Sequence, residues 1–366
     1  MDFYILDRSF NRISVIDSYE TYIWTKRYYM CGDFELHIPA KSSLFEVLDL
    51  GYYITRSGDK TVMIIESLKL DTNSEQGDYI TVSGRSFESI LERRILTQTF
   101  VYSAVEEGVY AWEVVHYLIY NNIVNPTDEY RKIDIIDQND SEAPETEDMV
   151  LSSDEVTFEN GKNILECVSQ VCQQYGIGIK AQWNEKYGNE ARFTLCIYGG
   201  KDRSRITADG PRVEFSPQND NFGESSYILN GEKVKNAVKF RIGSDSYYSP
   251  LWTPGQNAPS GLDRREVLVS IDDIDLSGIK SISKTMKERA MSELAANYST
   301  VTAFDGTVTE SGTYVCGEDY ELGDIVKVVN EYDISARARI TEIIDSGDAY
   351  GTSLIPTFEY QERGAE

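Results

Sequence analysis

The stretch EDYELGDIVKVVNEYDISARARITEIIDSGDAYGTSLIPTFEY, residues 318–360, contains three short extended segments separated by turn-forming residues. Each segment is rich in β-branched and apolar residues, a composition that is typical of β-strands. The segments are Ile325–Val329, Ala336–Ile344 and Thr352–Phe358. Gly and Asp between them favour tight turns, and one such turn is predicted at 346–348. Because Pro356 has no backbone N–H to donate, the last segment is predicted to be an edge or terminal strand. The periodicity alone thus predicts a small antiparallel sheet that closes a domain.

Residues 2–97 contain many short β-type segments at regular spacing, a pattern that suggests a barrel or a sandwich. The first two segments, Phe3–Leu6 and Ile13–Ile16, predict an opening hairpin. Near the end of this region Ser86 is predicted to cap a short helix, Phe87–Ile95, which carries apolar residues on one face. We therefore predict a separate β domain at 1–97, either a barrel or a sandwich.

Residues 98–211 change character and predict an inserted α+β domain. Helical spacing of apolar residues alternates here with strand-like segments. Helices are predicted at Ala111–Ile123 and Lys162–Tyr175, and a hairpin is predicted from Ile177–Trp183 and Ala191–Tyr198. Gly176 follows the second helix directly and is predicted to end it.

An acidic run without Lys or Arg extends from 133 to 161. Its carboxylates, at 137–159 in particular, are oxygen ligands of the kind that calcium prefers. The run lacks the glycine and the regular ligand spacing of a calcium-binding loop, so it favours a solvated, mobile loop.

Residues 212–280 are predicted to contain the strands and a long aromatic loop of a second barrel-like region, with strands in 212–245 as candidates to complete the first barrel. The strands are predicted at Val234–Ile242 and Arg265–Ile271. The loop between them, Gly243–Leu262, carries Tyr247, Tyr248 and Trp252. These aromatic residues either form a sugar-binding or partner-docking surface or fold back onto the barrel. Residues 281–366 are predicted to form a helix, Ser283–Tyr298, followed by the C-terminal antiparallel sheet.

The inventory of reactive side chains argues against catalysis. The chain has two histidines, His37 in a predicted strand and His116 in a predicted helix, and both are interpreted as structural. The five cysteines are scattered, as expected of buried thiols in a chain folded in a reducing cytoplasm. Paired carboxylates stay open as a route to glycan cleavage, although no acid stands out by its context. We therefore predict no catalytic residue, no cofactor-binding residue and no metal ligand.

The net charge of −26 restricts the classes of partner. Binding to nucleic acid needs clustered Lys and Arg that neutralise phosphates, and adhesion to anionic membranes needs a basic surface. We expect neither specific nucleic-acid binding nor membrane insertion, since no apolar run reaches about 18 residues. No secretory signal is visible at the N-terminus.

Three blocks of sequence resemble one known family. The C-terminal block comprises DYELGDIV at 319–326, ARITEI at 338–343 and YGTSLIPTF at 350–358. Upstream, GRSFESILERRIL at 84–96 and FENGKNILECVSQVCQQYGIGIK at 158–180 extend the similarity in the same order. Together they resemble the tail-hub family, the tail-associated tail-tip or baseplate hub proteins of long-tailed phages and phage-tail-like bacteriocins.

The resemblance implies a structural protein, mainly β with α+β insertions, built from multiple domains with tube-like β-barrels and small α+β modules. It makes the domain at 1–97 a tube-like β-barrel. It implies a homotrimer that joins the tail tube or a distal tail protein above to a spike, fibre or tape-measure protein at the tip. Such a ring is a conduit, and an acidic, repulsive wall would suit it. Three copies would carry a net charge of −78, three times the −26 of one chain.

Two other classes of function stay as alternatives. A cell-wall-degrading tail enzyme would clear peptidoglycan and would lose that activity when one acid is replaced. A carbohydrate-binding adhesin would bind glycans through the aromatic loop and would lose affinity in a Trp252→Ala variant. The resemblance places the protein in the virion or tail-like particle, at the distal tail or baseplate, after folding in the bacterial host cytoplasm.

Overall fold

The fold is seen in a computed structural model of the chain. It describes residues 1–361 except 73–76, 104–108, 146–154, 185–191, 207–209, 243–245, 253–256, 272–289, 292–293, 295–297, 299–300 and 309–312. The chain forms two compact units: unit 1 contains Met1–Ser225 and Gly306–Glu366, and unit 2 contains Ser226–Asp305. The predicted fold class, mainly β with α+β modules, is confirmed. The finer division at 97, 211 and 280 stays a prediction.

The N-terminal region of unit 1 consists of seven antiparallel strands and a short helix. The strands are β1 (Phe3–Leu6), β2 (Arg12–Ile16), β3 (Thr21–Arg27), β4 (Asp33–Pro39), β5 (Tyr53–Arg56), β6 (Val62–Asp71) and β7 (Tyr79–Ser86), and the helix is α1 (Ser42–Phe45). The pairing of β1 with β2 confirms the predicted opening hairpin. Alternate residues of these strands, among them Trp24 and Leu36, build one hydrophobic core. The region therefore has its own core, as the regular spacing of short strands predicts.

The predicted helix after β7 is a 3₁₀ helix, Phe87–Arg93, and Ser86 is its N-cap residue as predicted, but the Ser86 side chain makes no capping hydrogen bond. The Ser86 hydroxyl instead accepts a hydrogen bond from the backbone N–H of Gly32 at 2.8 Å. This contact with a residue more than fifty positions away competes with the local cap, and sequence spacing does not reveal it.

The α+β module contains two helices and two small sheets. Its elements are β8 (Phe100–Ser103), α2 (Ala111–Ile119), β9 (Ile136–Glu142), β10 (Glu155–Phe158), α3 (Ile164–Tyr175), β11 (Gly178–Trp183) and β12 (Phe193–Tyr198). Both predicted helices and the predicted β11–β12 hairpin are present. α2 continues into a wider π-helical turn, Tyr120–Val124, and α3 ends at Gly176, which adopts a left-handed conformation with φ of 67°. The buried faces of α2 and α3 meet in a second hydrophobic core.

The acidic run is not a loop throughout, and the loop prediction is wrong for two of its parts. Residues of β9 pair in parallel with β12, and residues of β10 pair with β8. Backbone hydrogen bonds to these neighbouring strands outweigh the low strand propensity of acidic residues. Residues 146–154 of the run lie outside the described residues.

Unit 2 contains a three-stranded sheet and its own small core. The chain enters it along β14 (Phe222–Asn230), which follows β13 (Glu214–Phe215) of unit 1, and leaves it along β18 (Val301–Val308). The sheet is formed by β15 (Ala237–Ile242), β16 (Ser246–Leu251) and β17 (Glu266–Ile271), with β15 in the centre. Val238 and Phe240 of β15 and Val269 of β17 contribute to the core.

The predicted aromatic loop of unit 2 is in part a strand. Tyr247 and Tyr248 lie in β16, which pairs antiparallel with β15, so the prediction of one continuous loop at 243–262 is wrong. The edge of β15 supplies the backbone partners that turn this aromatic segment into a strand. The predicted helix Ser283–Tyr298 lies largely outside the described residues.

The C-terminal strands are β19 (Ile325–Val329), β20 (Ser335–Asp348) and β21 (Thr352–Gln361). They join the N-terminal strands in one 11-stranded sheet with the order β13-β19-β20-β3-β4-β7-β6-β5-β1-β2, and β21 also pairs with β20. The first half of β20 pairs with β19 and the second half pairs with β3. The predicted edge position of the Pro356 segment is confirmed, because among the described strands β21 pairs with β20 alone.

The turn predicted at 346–348 is wrong, because these residues belong to β20. Ser346 pairs with Ser353, and the chain reverses at 349–351. Gly347 is needed for a different reason: a Cβ atom there would lie 2.4 Å from the ring of Tyr22 on the neighbouring strand. Since β20 is hydrogen bonded on both sides, the ladder extends through a sequence that would otherwise form a turn.

Candidate functional site

The contact between β3 and β20 joins the two ends of the chain and is lined by paired charges. The pairs are formed by three cations and three carboxylates from four different parts of unit 1. These side chains, which we call the ionic seam, belong to Lys26, Arg27, Arg56, Asp59, Glu342 and Asp345. Because the pairs Arg27–Glu342 and Arg56–Asp345 join N-terminal residues to β20, the seam marks the folded arrangement of the two ends of the chain.

Arg56 is the centre of the buried part of the seam. Its guanidinium contacts the carboxylates of Asp59 at 2.9 Å and Asp345 at 2.5 Å, and the side chains of all three residues are between 10% and 14% exposed. The Lys26 ammonium contacts Asp59 at 2.8 Å. Burial raises the pKa of Asp59, but the charges of Lys26 and Arg56 outweigh it and lower the pKa to about 2. Asp59 is therefore ionised at neutral pH, and its ion pairs weaken as the pH falls from about 4 towards 2.

Arg27 forms the outer part of the seam. Its guanidinium contacts Glu342, its pairing partner on β20, at 2.6 Å and Asp33 on β4 at 3.2 Å. The three strands β20, β3 and β4 are thus linked through one side chain. These groups are more exposed than Arg56, so we expect them to contribute less to stability.

The aspartate before β19 in the DYELGDIV block, Asp324, forms a second buried ion pair, with Arg203. Its carboxylate accepts hydrogen bonds from Arg203 Nε at 2.6 Å, from the backbone N–H of Lys201 at 2.7 Å and from that of Glu321 at 3.0 Å. Asp324 has a side-chain exposure of 4%. The turn before β19 is thereby fastened to the segment that follows the α+β module.

A cavity of about 280 Å³ lies beside the seam, where β3, β11 and the segment 316–322 meet. Glu88 of the 3₁₀ helix lines it and is buried. One carboxylate oxygen of Glu88 accepts a hydrogen bond from the backbone N–H of Ala181 at 2.6 Å, whereas the other is buried without a protein partner. Burial raises the pKa of Glu88 above its ordinary value. The cavity thus contains an acid that the fold favours in its neutral form.

We expect a Glu88→Gln variant to be more stable than the wild type at high pH and similar to it at low pH. The pKa of Glu88 is higher in the folded state than in the unfolded state, so the wild type loses stability as the pH rises through about 4.5 and above. Glutamine keeps an oxygen for Ala181 and does not ionise. Urea unfolding of both proteins between pH 4 and pH 8 tests this, and a stability difference that does not change with pH would contradict it.

The thiol that lines the cavity is poorly suited to act as a nucleophile. The lining includes Cys316, but burial raises the pKa of this thiol to about 11, so it stays protonated at neutral pH. Neither histidine lines the cavity. Within the described part of the chain, no group of three or more His, Cys, Asp and Glu side chains is arranged to hold a metal ion. The ion pairs of the seam and the hydrogen bond of Glu88 connect separate segments of unit 1 to one another.

Comparison with known proteins identifies the family. The sequence matches the Siphovirus ReqiPepy6 Gp37-like protein family over residues 2–358. The chain belongs to this family. A comparison with curated proteins gives no match.

Solved structures share the fold of this Gp37-like chain along its whole length. The 43 kDa tail protein of prophage MuSo2 from Shewanella oneidensis aligns with a TM-score of 0.57 and 12% identity over 98% of each chain. A tail protein from Neisseria meningitidis MC58 aligns with a TM-score of 0.53 and 15% identity, over 98% of this chain and 96% of that chain. A structure of a PdpA–VgrG complex aligns with a TM-score of 0.53 and 10% identity, over 100% of this chain and 66% of that chain. The predicted resemblance to phage tail proteins is confirmed.

The two histidines of the Gp37-like chain make contacts within the protein. His37 stacks on Tyr79 with ring centroids 4.8 Å apart and lies 3.2 Å from the hydroxyl of Thr81. His116 lies 2.5 Å from a carboxylate oxygen of Asp140, which connects α2 to β9. One carboxylate oxygen of Asp140, a member of the acidic run, is thus engaged in a structural contact. Cation binding at 137–159, the interpretation that the sequence favours less, gains no support from the described residues.

Neither the cysteines nor the aromatic residues of the predicted loop supply any of the six side chains of the seam. Cys167 and Cys172 are buried in α3, and all five cysteines are free. Trp252 is 38% exposed in unit 2. Sequence reasoning missed Arg56, Asp59 and Glu88, since Asp59 reads as an ordinary turn residue and Glu88 as an exposed helix position. Finally, no helix among the described residues is long and apolar enough to cross a membrane.

Proposed function

We propose that the protein is the structural hub of a phage tail or phage-tail-like particle and assembles as a trimeric ring. The ring joins the tail tube, or a distal tail protein, to the spike, fibre or tape-measure protein at the tip and forms part of the conduit. The protein acts without catalysis and without a cofactor. Membership of the Gp37-like family and the tail-protein fold over the full length support this proposal.

The observation that carries the proposal is the single sheet built from both ends of the chain. Strands β19–β21 pair into the N-terminal sheet, and the ionic seam fastens them there. A component that transmits force between a tube and a tip needs termini that do not separate, and buried ion pairs with long-range partners meet this need. A chain of similar fold is part of the solved PdpA–VgrG complex, which fits a role in holding other proteins together.

The edge strand β2 is the surface we assign to contact between copies. Among the described strands, β2 pairs with β1 alone, so one row of backbone hydrogen-bonding groups is open. Ile13 and Val15 on β2 are 40% and 46% exposed. An open edge with apolar side chains favours pairing with a strand of another chain, and a second copy supplies such a partner in a ring.

We expect the purified protein to form a particle three times the 41.5 kDa mass of the chain. Light scattering coupled to size exclusion at micromolar concentration measures this mass, and negative-stain images should show threefold rings with a central channel. An Ile13→Lys/Val15→Lys variant should shift the mass towards the monomer, because charged side chains on an edge oppose pairing.

The matched control is Tyr332→Lys, which adds charge at an exposed side chain away from β2 and should keep the trimer. A wild-type protein that stays at 41.5 kDa throughout would contradict the trimeric hub. A trimer that survives the β2 variant would contradict the assignment of β2 as the contact.

A further inference from the structure

A groove of about 620 Å³ lies on the α+β module, between the segment before β8 and the π-helical turn that continues α2. We propose that this groove, which we call the amide groove, binds an uncharged oligosaccharide. Four side-chain amides line it, those of Gln98, Asn121, Asn122 and Asn125. Its volume lies in the range of small-molecule sites, about 300–1,000 Å³. Neither the ionic seam nor the β2 edge includes any of these residues.

The groove exposes hydrogen-bonding groups that the protein itself does not use. Gln98 and Asn121 are exposed, and their amides make no hydrogen bond to other described residues. The amide of Asn125 has a single long contact, 3.4 Å from the hydroxyl of Tyr120. A side-chain amide offers two donor hydrogens and an acceptor oxygen, which matches the paired donor and acceptor character of sugar hydroxyls.

The wall behind these free amides is held in place by a buried network. Asn122 is 7% exposed; its amide nitrogen donates to the carbonyl of Leu118 at 2.9 Å, and its oxygen accepts from Arg131 at 3.1 Å. Arg131 also donates to the carbonyl of Ile95 at 2.7 Å. Hydrogen bonds through Asn122 and Arg131 thus connect α2, on one side of the groove, with the segment before β8 on the other side. Preorganisation of this kind lowers the entropy cost of ligand binding.

The π-helical turn places the asparagines at the groove. In a π-helix the hydrogen bond spans five residues, and here the backbone N–H of Asn125 donates to the carbonyl of Tyr120 at 2.7 Å. The widened turn brings Asn121, Asn122 and Asn125 to one surface. Isolated π turns inside helices are rare and are frequently found at functional sites.

The charge and the apolar part of the lining determine the class of ligand. The lining contains one carboxylate, Asp128, and one guanidinium, Arg131, and both are engaged with protein groups. The groove is therefore neutral on a chain of net charge −26, which disfavours anionic ligands. Phe100, partly buried in the lining, offers an apolar face against which the C–H face of a pyranose ring can pack. Uncharged sugars combine many hydroxyls with such apolar faces.

Binding of neutral trisaccharides to the full chain tests the proposal. The probes are maltotriose, cellotriose, mannotriose and triacetylchitotriose, with trigalacturonate as an acidic probe, and calorimetry and saturation-transfer NMR measure binding. We expect at least one neutral probe to bind with a millimolar or lower Kd. Preference for triacetylchitotriose would indicate an amino-sugar polymer as the source, and preference for a hexose probe would indicate a neutral polysaccharide.

Matched variants locate the binding. An Asn121→Ala/Asn125→Ala variant should weaken binding at least about tenfold, because two direct hydrogen bonds are lost. Phe100→Ala should also weaken it. Gln174→Ala, which removes an exposed amide on α3 outside the groove, should leave the Kd unchanged. The proposal is overturned if no neutral probe binds, if trigalacturonate binds better, or if the asparagine variant binds as well as the wild type.

Discussion

Replacement of Arg56 by methionine is expected to lower the free energy of unfolding of unit 1 by about 3–5 kcal/mol, the cost of removing one partner from a buried ion pair. Arg56 contacts Asp59 at 2.9 Å and Asp345 at 2.5 Å, and its side chain is 10% exposed. Without the guanidinium, the Asp345 carboxylate stays in a poorly solvated position, where the hydroxyl of Tyr22 on β3 donates a hydrogen bond to it at 2.8 Å. The loss therefore falls on the contact between β20 and β3.

An Arg85→Met variant is the matched control. Arg85 also contacts two carboxylates, those of Glu66 and Glu92, but its side chain is 39% exposed. Exposed pairs contribute about 0–1 kcal/mol, so we expect a loss near that range. Urea unfolding followed by tryptophan fluorescence reports mainly on unit 1, where Trp24, Trp112 and Trp183 lie. Equal losses in the two variants would show that burial does not set the importance of Arg56.

The acid dependence of stability separates the two variants further. Because the folded-state pKa of Asp59 is lowered to about 2, wild-type stability from its ion pairs is present above pH 4 and is lost as the pH falls towards 2. Part of that dependence comes from Arg56 and should be absent in the Arg56→Met variant. Arg85→Met should retain it.

Local patterns were sufficient to predict most strands and helices. Strand β19 begins and ends at the predicted residues, and α3 begins within two residues of its predicted start and ends at Gly176. These elements carry their signals within a few residues: β-branched residues in β19, and an asparagine cap, a helical apolar stripe and a glycine around α3. An element whose characteristic residues lie within the element itself can therefore be predicted from the sequence alone.

Two of the wrong predictions share a cause, which is hydrogen bonding to a partner strand. Residues 346–348 read as a turn but are held in β20 by β3 and β21 on either side. Tyr247 and Tyr248 read as loop but pair with β15. In each case hydrogen bonds to another strand outweigh the local preference of the segment.

The candidate sites were missed because their residues come together only in the folded chain. Arg56 and Asp345 are 289 positions apart in sequence, and neither is unusual in its own segment. Asn121, Asn122 and Asn125 form a surface only because α2 ends in a π turn, and the helical spacing of apolar residues does not distinguish that turn from an ordinary helix end. The family resemblance predicted the tail-protein fold but specified no site residue.

Replacement of Gly84 by alanine is expected to lower the free energy of unfolding by about 3 kcal/mol or more, the upper end of the cost of overpacking. A Cβ atom at Gly84 would lie 1.9 Å from the carbonyl oxygen of Ile64 and 2.9 Å from the backbone nitrogen of Glu66. Both obstacles are backbone atoms of β6, where the pairing with β7 shifts register between Ile65 and Ser67. No side-chain rotation can relieve the clash, so β6 and β7 would have to separate.

Gly351→Ala is the control, because a Cβ atom at Gly351 meets no atom within 4 Å and its φ is not positive. We expect a change within about 1 kcal/mol for this variant, in either direction. Urea unfolding and soluble yield compare the two proteins. If the Gly84→Ala protein were as stable as the Gly351→Ala protein, β6 and β7 would have to lie farther apart than the distance of 1.9 Å between a Cβ atom at Gly84 and the Ile64 oxygen implies. A large loss would instead explain why the GRSFESILERRIL block begins with glycine: the residue permits the irregular pairing of β6 and β7 that leads the chain into the 3₁₀ helix carrying Glu88.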